Sequence, residues 1–162
     1  MDFFLAFEKN LLPFVRSLAA YGGGYIDQPA GGRLVILLTE PDQATEDAIR
    51  MRVPAVNRGV EIQYVEYTYA QLQGAVTRAR DVFAELAPES AIYVVALDVR
   101  ANSVRPEVDA AHLGSVMTVV PEAEQQLGVP VHVVLGAPAE ESVCTTRDNC
   151  FNPMKAGIRI HK

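Results

Sequence analysis

The sequence predicts an α+β protein: two tandem ββαβ units (small three-stranded, mostly antiparallel sheets packed on helices) joined by a helix, with an N-terminal amphipathic helix in front. Three observations predict it. Strand-like and helix-like hydrophobic patterns take turns along the chain. Hydrophobic residues make up 49% of the 162 positions, enough for a real core. Finally, the second half echoes the first. "VPAVNRGVEIQYV" (53–65) matches "VPEAEQQLGVPVHVV" (120–134), and "YIDQPAGGRLVI" matches "VALDVRANSVRP", which pairs Asp27 with Asp98. The offsets run from 67 to 71 residues, too long for a solenoid repeat.

The first helix is expected within residues 1–22, where Phe4, Phe7, Leu11, Phe14 and Leu18 recur at helical spacing. Pro13 either kinks it or marks a second start near Leu12, and Gly22, Gly23 and Gly24 read as its stop. The first unit, 23–67, opens with a hairpin of "GYIDQ" and "RLVILLT" around Pro29–Gly32. Asp42 then caps "QATEDAIRMRV", a helix ending near Pro54. In "VEIQYVEY", Val60, Ile62 and Tyr64 share one face, the alternation of a half-buried strand.

Thr68 and Gln71 have capping-box spacing and start the connecting helix, 68–88. Its apolar stripe is Leu72, Ala75, Ala79, Val82, Phe83 and Leu86, and Pro88 ends it. The second unit, 89–138, has "AIYVVALDV" and "NSVRPEV" as its hairpin. Asp109 caps the helical "AAHLGSVMTVV", Pro121 opens a separate turn "PEAEQQL" closed by Gly128, and "VPVHVVLG" is the last strand. Residues 139–162 form a tail.

Charge and motifs then remove function classes. The formal charge is −6 with no basic stripe, which argues against a nucleic-acid partner. No apolar run approaches ~18 residues, so no membrane span is expected, and "FFLAF" is too short for a signal peptide, which leaves two expectations, a cytoplasmic chain or one whose export signal was removed ahead of this numbering. His112, His132 and His161 do not sit at metal-ligand spacing with the cysteines, and C-x5-C is not a zinc pattern, so neither metal nor cofactor is expected. The glycine clusters fit no phosphate-binding motif. Ser115 in "HLGSVM" lacks a G-x-S-x-G setting. Asp27 and Asp98 read as turn residues bonding their own backbone, and Tyr64, Tyr67 and Tyr69 as cover for the core. No catalytic residue is expected. In the tail, Cys144 and Cys150 can close a small disulfide loop in an oxidising compartment, adding about 2–3 kcal/mol. The alternative is two free thiols.

"YIDQPAGGRLVILLT" and "VVALDVRANSV", with "VEIQYVEYTYAQLQ" between them, resemble the pro-region of secreted bacterial chymotrypsin-like serine proteases of the alpha-lytic protease and streptogrisin type. "CTTRDNCFNPMKAGIRI" resembles the junction into the first strand of the protease domain. The resemblance covers most of residues 20–160. Pro106 and Ala156 depart from the family pattern, and neither "AGHC" nor "GDSGG" occurs, so the chain carries no triad of its own. The resemblance implies a secreted folding chaperone and inhibitor whose partner is a chymotrypsin-like serine protease domain, in cis or in trans. It implies that the last strand, with Val129, Val131, Val133 and Leu135, extends a sheet of the partner. Gly136, Ala137 and Pro138 would then lead the tail into the substrate cleft. The alternative is a stand-alone interaction module descended from such a pro-region, with no protease partner. A third possibility is a small α/β enzyme, which would require a pocket of converging polar groups.

Overall fold

The computed structural model describes residues 7–53 and 60–136. The cysteines, Ala137, Pro138 and the rest of the tail lie outside the described residues. A π-helical turn, Phe7–Leu11, leads into α1 (Leu12–Arg16), and Pro13 sits in its first turn, where no N–H is needed. The second start near Leu12 is therefore the outcome realised. The glycines that follow do something other than stop this helix. Gly22, Gly23 and Gly24 lie inside β1 (Tyr21–Asp27), and α1 has already ended at Ser17.

β1 pairs antiparallel with β2 (Arg33–Leu38). Asp42 caps α2 (Gln43–Arg52) by accepting from the N–H groups of Ala44 and Thr45. β3 (Val60–Tyr64) then lies parallel to β2, with Leu34 opposite Val60 and Leu38 opposite Tyr64. α3 (Tyr69–Leu86) begins with the full capping box of Thr68 and Gln71. β4 (Ile92–Asp98) and β5 (Ser103–Val108) form the second antiparallel hairpin. After α4 (Leu113–Leu127), β6 (Val134–Leu135) returns parallel to β5. Each sheet is thus mixed, with the hairpin's second strand in the centre, because a helical crossover returns its strand in the parallel sense.

The repeat extends to detail. Tyr21 and Gly23 flank a bulge in β1, and Ile92 and Val94 flank one in β4 at the same offset. Each sheet also has two helices on one face. The first core gathers Leu11 and Val15 from the N-terminal helix, Ile49 from α2, and Leu34, Ile36 and Leu38 from β2. The second gathers Leu72, Ala75, Ala79 and Phe83 from α3, Val116, Ala123 and Leu127 from α4, and Val104 and Val108 from β5. α3 stands to the second sheet as the N-terminal helix stands to the first. Among the described residues no helix is long and apolar enough to cross a membrane.

α4 corrects one expectation. Pro121 opens no separate turn: a single helix runs through it to Gly128, whose φ of 71° closes it. Proline cannot donate to the carbonyl four residues back, at Met117, and an interior proline costs about 3 kcal/mol. The helix persists because Val116, on one side of Pro121, and Ala123 and Leu127, on the other, are buried in one core. Asp109 caps the turn before the helix, accepting from the His112 N–H at 2.8 Å, and α4 proper starts one residue after His112.

The halves are joined by the β4–β5 turn. Asn102, 8% exposed with φ 50°, accepts from the Tyr67 N–H (2.8 Å) and donates to the Tyr67 carbonyl (2.9 Å). Arg100 lies 4.5 Å over the Tyr25 ring and donates to Asp27 at 3.2 Å. A Cβ on Gly23 would stand 2.7 Å from a Val99 methyl, and one on Gly22 2.5 Å from a Val65 methyl. The glycine run lets these two valines reach the β1 backbone.

Candidate functional site

β6 is the open edge of the second sheet, and Pro106 explains why it is short. In the β5–β6 ladder the Val104 N–H donates to the Pro130 carbonyl, His132 N–H to the Val104 carbonyl, and Gly136 N–H to the Val108 carbonyl. The next donor on β5 in that series is residue 106, where proline has none. Regular pairing therefore shrinks to Val134–Leu135, with an isolated bridge at Val104–Val131. The Val129–Leu135 strand expected from the sequence is realised only in these two pieces. At the matching position of the first sheet stands Ile36, and β3 pairs over all five residues.

The same ladder fixes which groups face outward. Residues 132, 134 and 136 turn their N–H groups to β5, so Val131, Val133 and Leu135 turn theirs away. The Val131 N–H is covered by Glu124 of α4, which accepts from it at 2.9 Å. Val133 and Leu135 have no N–H partner among the described residues. The side chains divide differently. Val129 is buried, Val131 and Val133 pack against the second core, and Leu135 is 61% exposed. Gly136 lies tight against Glu107, where a Cβ would come within 2.8 Å of the glutamate Cβ. The structure thus brings Val131, Val133, Leu135 and Gly136 onto one edge, with Val129 buried in the core just ahead of it.

The register makes Leu135 the counterpart of Tyr64, since Leu135 faces Val108 and Tyr64 faces Leu38. Tyr64 is half exposed, but its hydroxyl donates to Glu46 of α2, which also binds Arg50 at 2.6 Å. Those bonds, first from Tyr64 and then from Arg50, hold the Glu46 carboxyl below the usual carboxylate range. Leu135 has no such tie. Met117, also on this unit, is 52% exposed.

The other residues weighed for chemistry have partners close by in the fold. Asp109 and His112 form a close pair, with Nδ1 at 2.8 and 2.9 Å from the two carboxylate oxygens, and these contacts lower the Asp109 pKa. Ser115 does not complete a triad, because its hydroxyl donates to the His112 carbonyl at 2.8 Å. Asp42 makes the same i, i+3 arrangement with Thr45 in the first unit, where no histidine is present. The shared role is capping. Asp27 binds Arg100, whereas Asp98 accepts from the Ala101 N–H in its own turn. Tyr64, Tyr67 and Tyr69 do not converge: Tyr67 packs on the second core and Tyr69 on the first. What reading the sequence missed was the consequence of Pro106, whose signal was a proline in a strand destined for the centre of a sheet.

The chain matches no protein-family model and no curated protein.

Proposed function

We propose that this chain is a non-catalytic protein-binding domain of the pro-region type, secreted, without a cofactor, that takes a chymotrypsin-like serine protease domain as partner and assists its folding or inhibits it. The observation that carries the reading is the open side of β6, where Val133 and Leu135 offer backbone donors beside an exposed leucine. An extended segment of a partner adds to such an edge as a further strand, its main chain giving affinity and its alternate side chains giving specificity. The resemblance of residues 20–160 to protease pro-regions supplies the class of partner.

The test uses the edge itself. Leu135→Pro removes an outward N–H that the β5–β6 ladder does not use, so the fold is kept while the edge loses a donor. Mixed with a streptogrisin-type protease domain, the wild-type chain should inhibit with an affinity tighter than micromolar. Leu135→Pro should weaken that by about tenfold or more, an effect of ~1.4 kcal/mol, and by more than Leu135→Ala does. Equal inhibition by all three proteins, or no binding by the wild type, contradicts the reading.

A further inference from the structure

We propose that Glu124 is a specificity-determining residue for strand docking: its carboxylate closes the β6 edge at Val131 and holds a docked segment to the bonds offered by Val133 and Leu135. The inference rests on the docking reading of β6 and adds where a docked strand must stop.

In an extended strand the N–H and the carbonyl of one residue point to the same side. Val131, Val133 and Leu135 therefore form one outward series. A strand added to that edge takes the N–H of each residue in the series with a carbonyl of its own. At Val133 and Leu135 the N–H has no partner among the described residues. At Val131 the Glu124 carboxylate already accepts it at 2.9 Å. A charged acceptor makes the stronger bond. An arriving carbonyl would have to displace the carboxylate and strip it of this donor, which costs more than the new bond returns. A charged side chain set at a sheet edge is one of the ways further pairing is prevented.

The helix holds the side chain in place. On either side of Glu124 along α4, Ala123 and Leu127 are buried in the second core. Arg78 of α3 donates to the Gln126 and Leu127 carbonyls, at 3.3 and 2.9 Å, and so fixes the last turn of α4. Gly128 ends the helix, and only Val129 and Pro130 separate it from Val131. In the first sheet Val60, opposite Leu34, matches Val131, opposite Val104. Among the described residues no side chain accepts from the Val60 N–H.

The test compares the wild type with Glu124→Ala and Glu124→Gln, using the streptogrisin-type protease domain as the probe. In the wild-type complex the Val131 amide should keep its free-state exchange rate. In free Glu124→Ala that amide should exchange faster, and binding should protect it as the docked strand gains a bond. The Kd of this variant should fall roughly threefold or more. Glu124→Gln retains an acceptor and should behave as the wild type. A loss of structure alone would weaken binding, so the gain in affinity separates the two roles. A complex of Glu124→Ala that leaves Val131 unprotected, or that is no tighter than the wild type's, overturns the proposal. If the wild type does not bind the protease domain, the docking reading fails by itself, and sedimentation of the free chains then decides the role of Glu124. Glu124→Ala, with its longer open edge, should self-associate at least about threefold more tightly than the other two proteins. Equal sedimentation of all three would overturn the proposal.

Discussion

The two units share a plan and differ in how their sheets are finished. In the first, the central strand is apolar on both faces, with Leu34, Val35, Ile36, Leu37 and Leu38 all at most 2% exposed. Its helix side is filled by α1 and α2. On its other side, Val99 and Arg100 of the second unit reach over Gly23 and Tyr25. In the second unit the central strand alternates. Val104 and Val108 are fully buried on the helix side, while Arg105 and Glu107 pair with each other at 3.2 Å on the opposite face. There Ser103, 3% exposed, has a hydroxyl without a partner among the described residues. The first sheet is closed on both faces and its last strand pairs along its whole length. The second is closed on one face, and its last strand is cut short by Pro106. Features that recur in both units, such as the bulges and the aspartate caps, belong to the scaffold. Features found in one unit alone are where function is to be sought.

The largest test of this comparison concerns the cores. Phe83 of α3 and Val15 of α1 are both fully buried and hold corresponding helices to their sheets. Phe83→Ala should cost about 3–5 kcal/mol, and Val15→Ala roughly 1.5–3 kcal/mol. Because Asn102, Arg100 and Val99 tie the units together, urea unfolding of both variants should remain a single transition. Two transitions in either variant would show that the units fold independently.

The joint comes next. Asn102→Ala removes both bonds to the Tyr67 backbone and places a Cβ-bearing residue without a polar side chain at φ 50°. The expected loss is about 2–4 kcal/mol. Asn102→Gly loses the same bonds but relieves the backbone, so it should cost less. An equal cost for the two would mean that the left-handed conformation carries no strain here.

The smallest effects are the caps. Hydrogen bonds lower the pKa of Asp42, chiefly from the Thr45 side chain, and that of Asp109, chiefly from the His112 side chain. A folded-state pKa below the unfolded one gives stability that is present above the unfolded value and lost as pH falls through the folded value. Stability should therefore decline on acidification below about pH 4. Asp42→Asn and Asp109→Asn should each flatten that decline in melting curves recorded against pH. A variant as acid-sensitive as the wild type would remove its cap from the scaffold.

Local signals account for most of what the sequence revealed. Thr68 with Gln71, Asp42, and the alternation of Val60, Ile62 and Tyr64 each reach only a few residues, and they placed their elements correctly. The repeat made the doubled architecture legible. Non-local packing accounts for the misses. Gly22–Gly24 read as a helix stop because a glycine run carries no information about a valine arriving from residue 99. Pro121 read as a helix break because its cost is local, whereas the burial of Val116, Ala123 and Leu127 that offsets it is tertiary. The edge residues Val129, Val131, Val133 and Leu135 read as one continuous strand, whereas only Val134–Leu135 and the Val131 bridge pair with β5. Which of their N–H groups remain open depended on where Pro106 falls in the ladder.

The docking reading rests on the difference between β3 and β6, and amide hydrogen exchange at single residues tests it most directly. With the protease domain bound, the Val133 and Leu135 amides should become strongly protected, while Ile62 and Tyr64, which turn outward on β3, keep their free-state rates. Protection on β3 in place of β6, or unchanged exchange at Val133 and Leu135 in a formed complex, would contradict it.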